Sequence, residues 1–172
     1  MTDPRSPDRA RTALRDALVE QLRRTHAGDP WYGSSRTHLL HGLEAADASR
    51  RPPGSAHSIW ELVLHMTAWT NEVRSRLDGT PPREPPEGDW PAPAGEGELA
   101  WADALARLER AHLALIARIE QVPDDELHRV VGEERDPALG TGVTVAGMLV
   151  GIAQHDAYHT GQVALLRRAL GK

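Results

Sequence analysis

The 172-residue chain contains no cysteine and no phenylalanine. Without cysteine there is no disulfide and no thiolate ligand, so any metal site must be built from histidine, carboxylates or backbone oxygens. Long apolar runs are also missing, and no stretch approaches the roughly 20 residues that a membrane-spanning helix needs. The opening Met1 to Arg15 is charged and interrupted by proline. That is unlike the basic-then-apolar pattern of a secretory signal, so a cytoplasmic location is expected. Nor is there an excess of positive charge: Lys+Arg 20 against Asp+Glu 25 gives a net charge of -5. This balance offers phosphates no basic face and argues against a nucleic-acid partner. Hydrophobic residues at 40% and charged residues at 26% are ordinary for a globular chain, which disfavours disorder, and the length suits one domain spanning 1–172.

What is present is helical periodicity divided by proline and glycine. A first helix reads from Pro7 to His26, with Leu14, Leu18 and Leu22 at fourfold spacing, and Gly28, Asp29 and Pro30 end it. One or two helical turns fit Ser34 to Leu43. A second long helix opens on Ser58 with Glu61 three residues later, the pattern of a capping box, and runs to Leu77 with Ile59, Leu62, Val63, Met66 and Val73 on one stripe. From Thr80 to Gly97 six prolines exclude a helix. A third helix, Glu98 to Val122, carries Trp101, Leu105, Leu108, Leu115 and Ile119 and stops at Pro123. Asp124 to His128 fits a short turn, and Gly132 to Gly142 a loop. Thr144 caps a fourth helix that reaches Leu170, with Val145, Met148, Leu149, Ile152, Val163 and Leu166 on its stripe. No segment alternates as a half-buried strand does, so an all-α four-helix bundle is predicted. The proline-rich crossover could extend on the order of 60 Å against a helix of roughly 30 Å, long enough for helices two and three to run parallel.

The strongest chemical signal is His155 and His159, four residues apart inside the apolar stripe of the fourth helix. Two imidazoles at that spacing can close on one divalent ion, and burying both among aliphatic side chains is costly unless something satisfies them. The plain alternative is two core histidines, each hydrogen-bonded to a neighbouring helix. A third ligand must come from another helix. His65, at the border of the second helix's stripe beside Leu62 and Trp69, is favoured over His112. The latter sits between Leu108 and Leu115 in the third helix's seam, where a core hydrogen bond or a supporting role is the stronger reading. His26, His38, His41, His57 and His128 fall at helix ends or in loops and are expected to be solvated. Asp156 could accept the second N–H of a ligand imidazole, or make an ordinary helix-to-helix or surface hydrogen bond. Glu61, one turn before His65, has the same option, but capping already explains it.

The segments "HSIWELVLHMTAWTNEVRSRLDG" from His57 to Gly79, "HDAYHTGQVALLRRAL" from His155 to Leu170 and "PWYGSSRTHLLHGL" from Pro30 to Leu43 resemble the DinB-like (YfiT-like) superfamily of metal-binding four-helix bundles. The third helix and the crossover match only in character. The resemblance implies one metal-ligating histidine from helix two and two from helix four, here His65, His155 and His159. It further implies an up-down-down-up order, a homodimer, and one divalent metal ion per chain, zinc or nickel first, with iron or manganese also suited to imidazole. Characterised relatives include transferases that join bacillithiol or mycothiol to electrophiles.

Three neutral imidazoles leave a metal ion its charge and an open position, the arrangement of a catalytic site. With no cysteine of its own, the chain would need an external thiol. The leading expectation is therefore a metal-dependent transferase joining a bacillithiol-like low-molecular-weight thiol to a small electrophile. The alternatives are a metal-dependent hydrolase, for which no carboxylate is clearly placed as base, and a non-catalytic, stress-related metal- or ligand-binding protein. Trp31, Tyr32, Trp60, Trp69 and Tyr158 are candidates to line an apolar pocket.

Overall fold

The computed structural model describes residues 7–172, with side chains from Leu14 onward. Most of Met1 to Arg15, on which the expectation about a secretory signal rests, falls outside the residues whose side chains are described. The helices are α1 (Pro7–Ala27), α2 (Arg36–Leu40), α3 (Ala45–Ser49), α4 (Ile59–Leu77), α5 (Gly97–Glu120) and α6 (Val145–Ala169). Between α5 and α6 come a single 3-10 turn, Glu126–His128, and two short strands, β1 (Val130–Val131) and β2 (Val143–Thr144). The regular structure of the described residues is thus mostly helical. Among the described residues, the antiparallel pair, with Val130 opposite Thr144 and Val131 opposite Val143, is the one departure from an all-helical reading. Two residues per strand are too few to produce a visible alternation. The short α3 was likewise not expected.

Local chemistry sets the helix starts. Ser58 Oγ accepts the Glu61 N–H at 3.2 Å while the Glu61 carboxylate accepts the Ser58 N–H at 2.8 Å, and Thr144 Oγ1 accepts from Gly147 N at 3.0 Å. Each of these bonds satisfies a backbone group that the first helical turn leaves unpaired. The loop between the strands folds on itself. Thr141 donates its hydroxyl to Glu134 O at 2.6 Å and accepts from Asp136 N at 3.0 Å. Gly142 sits at φ +67°, where a Cβ would lie 2.6 Å from Arg135 Cα, so only glycine fits there.

Among the long helices, α4 packs against α5 and α6, and α1 packs against the same two. The stripe of α4 is buried as the periodicity predicts, whereas Leu14 of α1 is 40% exposed. The apolar core has two parts. One joins Leu18, Leu22, Val73, Leu115, Ile119, Leu149 and Ile152. The other joins Leu40, Ile59, Leu62, Met66, Trp101, Leu108 and Val163. At the level between these parts every long helix buries polar side chains: Thr25 and His26 on α1, Thr70 on α4, His112 on α5, and Asp156, His159 and Thr160 on α6. A polar layer therefore crosses the middle of the molecule. Among the described residues no helix is long and apolar enough to cross a membrane.

Candidate metal centre

His155 and His159 lie one helical turn apart on α6 and face His65 on α4. Ring centroids are 4.8 Å apart for His65 and His155, 4.6 Å for His65 and His159, and 4.4 Å for His155 and His159. One nitrogen from each ring lies within 4.8 Å of the other two, a span that one ion closes with small side-chain adjustments at bonds of roughly 2.0–2.1 Å. His65 and His159 are buried and His155 is half-buried.

The protons are already arranged for coordination. His65 Nδ1–H donates to the Asp89 carbonyl at 2.6 Å and His159 Nδ1–H to Gln162 Oε1 at 2.7 Å, so both Nε2 atoms carry free lone pairs. His65 Nε2 stands 2.8 Å from His155 Nε2, a contact that repels unless a proton or a cation lies between the two nitrogens. Burial pushes His65 below its ordinary value, and burial followed by the neighbouring His155 pushes His159 down to about 4. Neutral imidazole is the form that ligates a metal. All three rings fit a divalent ion in donor type, and His65 and His159 fit it in tautomer and charge as well.

The proline-rich crossover supplies part of this centre. Trp90 stacks on His65 with centroids 4.0 Å apart and also on His57 at 3.4 Å, so the indole lies between two imidazoles. Asp89 receives the Trp69 Nε1–H at 2.7 Å and stands 3.4 Å from His65 Nδ1. Sequence reasoning missed both residues, because nothing in a run rich in proline says where it docks. His57, expected to be solvated, is half-buried under Trp90.

A cavity of about 500 Å³ opens against His65 and His155, walled by Trp69, Val73, Val143, Met148 and Ile152 and roofed by the β1–β2 loop from Arg135 to Gly140. Of the five aromatic candidates only Trp69 lines it. Trp60 is buried against Trp101, and Trp31, Tyr32 and Tyr158 are exposed.

His112 is not brought to the triad. It stacks on His26 at 4.0 Å, and burial, then the charges of His26 and Arg36, push it down to about 3. His26 was expected to be solvated but is buried. Its Nδ1 accepts from Arg36 Nη2 at 3.0 Å, which places its proton on Nε2, 2.5 Å from a Glu109 carboxylate oxygen. Fully buried Arg36 also donates from Nη1 to Asp156 Oδ2 at 2.9 Å. Burial alone would raise the Asp156 carboxyl, but the adjacent Arg36 guanidinium, together with His155 and His112, holds the group below the usual range. Glu61 is occupied by its capping box and by Arg51. His38, His41 and His128 are exposed.

The family model of the DinB superfamily matches residues 35–163, about three quarters of the chain and all three histidines of the triad. No curated protein matches the chain.

Proposed function

The chain belongs to the DinB superfamily, and we propose that His65, His155 and His159 bind one divalent metal ion in a metal-dependent enzyme that joins a low-molecular-weight thiol to a small electrophile. The carrying observation is the convergence of three imidazoles, two of them with Nδ1–H already engaged, beside an apolar cavity. Three neutral ligands leave the ion, zinc or nickel in this reading, its full charge and an open position, where it supplies the Lewis acidity that lowers the pKa of an incoming thiol. The chain's own residues do the rest. Trp69, Val73, Met148 and Ile152 hold an apolar electrophile and keep water from it, and Asp89 and Gln162 orient the ligand rings. In the transfer, thiol sulfur bonds to the electrophilic carbon, the bond from that carbon to its leaving group breaks, and the leaving group departs with the proton. A cytoplasmic setting suits this chemistry, since thiols are kept reduced there.

The pairing of α4 with α5 and α6, and of α1 with the same two helices, supports a single domain. The up-down-down-up order is supported by direction. Helices α4 and α5 run from the core part of Ile59 and Trp101 to that of Val73 and Ile119, whereas α6 runs from Leu149 in the latter to Val163 in the former and α1 enters at Leu18 of the latter. The exposed face of α6 carries Gly147, Val150, Gln154, Tyr158 and Leu165, with no exposed Asp, Glu, Lys or Arg before Arg168. That is the composition of an interface and supports a homodimer.

The metal-loaded protein, supplied with a reduced thiol and chlorodinitrobenzene or monochlorobimane, is expected to consume free thiol, and His155→Ala to abolish the consumption. A second reading has one observation in its favour. Asp89 places a carboxylate on the cavity wall beside His65, where it could serve as the base of a metal-dependent hydrolase. Ester hydrolysis without thiol consumption would select it. Metal binding with neither activity would leave a binding protein.

A further inference from the structure

Of the three imidazoles, two have their outer nitrogen fixed by an acceptor. The third does not: His155 Nδ1 is buried without a protein hydrogen-bond partner, and so is Asp156 Oδ1. These two atoms are 3.8 Å apart.

We infer that Asp156, held in place by Arg36, is the positioning residue of His155, accepting a hydrogen bond from its Nδ1–H and thereby turning its Nε2 toward His65 and His159.

This rests on the metal reading above, and the form of the buried ion pair supports it. An arginine that serves only to neutralise a carboxylate does so best with both fork nitrogens on both oxygens. Arg36 instead gives Nη1 to Asp156 Oδ2 alone and Nη2 to His26 Nδ1. The second carboxylate oxygen is left facing His155. Arg36 is itself braced from behind, since His26 Nε2 reaches Glu109 at 2.5 Å. The chain Glu109, His26, Arg36, Asp156 thus runs through the polar layer and ends beneath the third ring. Stability alone does not require it, because a buried ion pair replaced whole by apolar side chains is often neutral or stabilising. A carboxylate behind a ligating imidazole, by contrast, fixes its tautomer and raises its basicity.

The test compares the wild-type chain with Arg36→Met/Asp156→Leu, which removes both charges together, and with the near-isosteric Asp156→Asn. Each is titrated with Co²⁺, followed by its visible absorption, and with Zn²⁺ in competition with a chromophoric chelator. Helical circular dichroism and thermal midpoint are recorded in parallel. The double variant is expected to melt cooperatively near the wild-type midpoint yet bind roughly 10- to 100-fold more weakly with an altered Co²⁺ spectrum, and Asp156→Asn to weaken binding in the same direction. Should the double variant fail to fold, Asp156→Asn decides. A wild-type dissociation constant and spectrum in a folded variant overturns the inference. Absence of Co²⁺ and Zn²⁺ binding in the wild-type chain overturns instead the metal reading beneath it.

Discussion

The indole of Trp90 lies nearly flat on the imidazole of His65, with planes 8° from parallel. Through this contact and the Asp89 carbonyl, a segment that carries no regular structure fixes one ring of the triad on one face and at Nδ1. Trp90→Ala removes the stack, worth about 1 kcal/mol, and is expected to weaken metal binding about fivefold while leaving the helical content unchanged. Adding metal to the wild-type chain should also change its tryptophan fluorescence, and that change should shrink in the variant. Unaltered affinity would mean that the crossover only covers the site.

Acid stability reports on the polar layer. His112 takes up its proton only near pH 3 when folded, against an ordinary value of 6.5. Above the ordinary value it is neutral in both states and its contribution is intact. As pH falls below that value the unfolded chain binds a proton that the folded chain declines, so stability is lost at up to about 1.4 kcal/mol per pH unit until the folded value is reached. His112→Leu should flatten this loss, read from urea unfolding at neutral pH and near pH 5. An unchanged acid limb would assign it to other groups.

Arg76 joins three segments. Within the buried pair its Nε meets Glu72 at 3.0 Å, while Nη1 reaches Leu139 O at 2.6 Å and Nη2 reaches Arg83 O at 3.2 Å. Arg76→Met would strand the Glu72 charge and is expected to cost about 3–5 kcal/mol. Amide exchange should rise in 132–142, the loop that roofs the cavity. Exchange there no faster than in the wild type would contradict the tether.

The capping box is separable from the site. Ser58→Ala should lower stability by about 1 kcal/mol, measured by chemical denaturation, and leave metal affinity unchanged. A parallel loss of affinity would tie the start of α4 to His65.

What could be read in the sequence was local. Ser58 and Thr144 cap as their patterns predict because a cap needs only the next three residues. His155 and His159 share a face because helical geometry alone puts them there, whereas His65 stands only at the border of its helix's stripe and is singled out chiefly by the family resemblance. The remaining parts of the centre depend on distant pairings that leave no periodic trace. Arg36 lies 120 residues from Asp156, in a stretch that reads only as one or two helical turns. Trp90 lies in a run whose prolines announce only that it is not helical. His26, at a helix end, is buried because Arg36 and Glu109 meet it there, and no spacing rule anticipates that. For Trp31 and Tyr158 the reverse holds, since aromatic character suggested a pocket and the fold leaves both exposed.

The central claim is that three imidazoles hold one metal ion, and metal analysis of tag-free protein purified without added metal tests it most directly. Near one divalent ion per chain in the wild type, with almost none in His155→Ala of unchanged helical content, is the predicted result. A metal-free wild type that also fails to take up Zn²⁺, Ni²⁺ or Co²⁺ on addition, or a His155→Ala variant that keeps its ion, would contradict it.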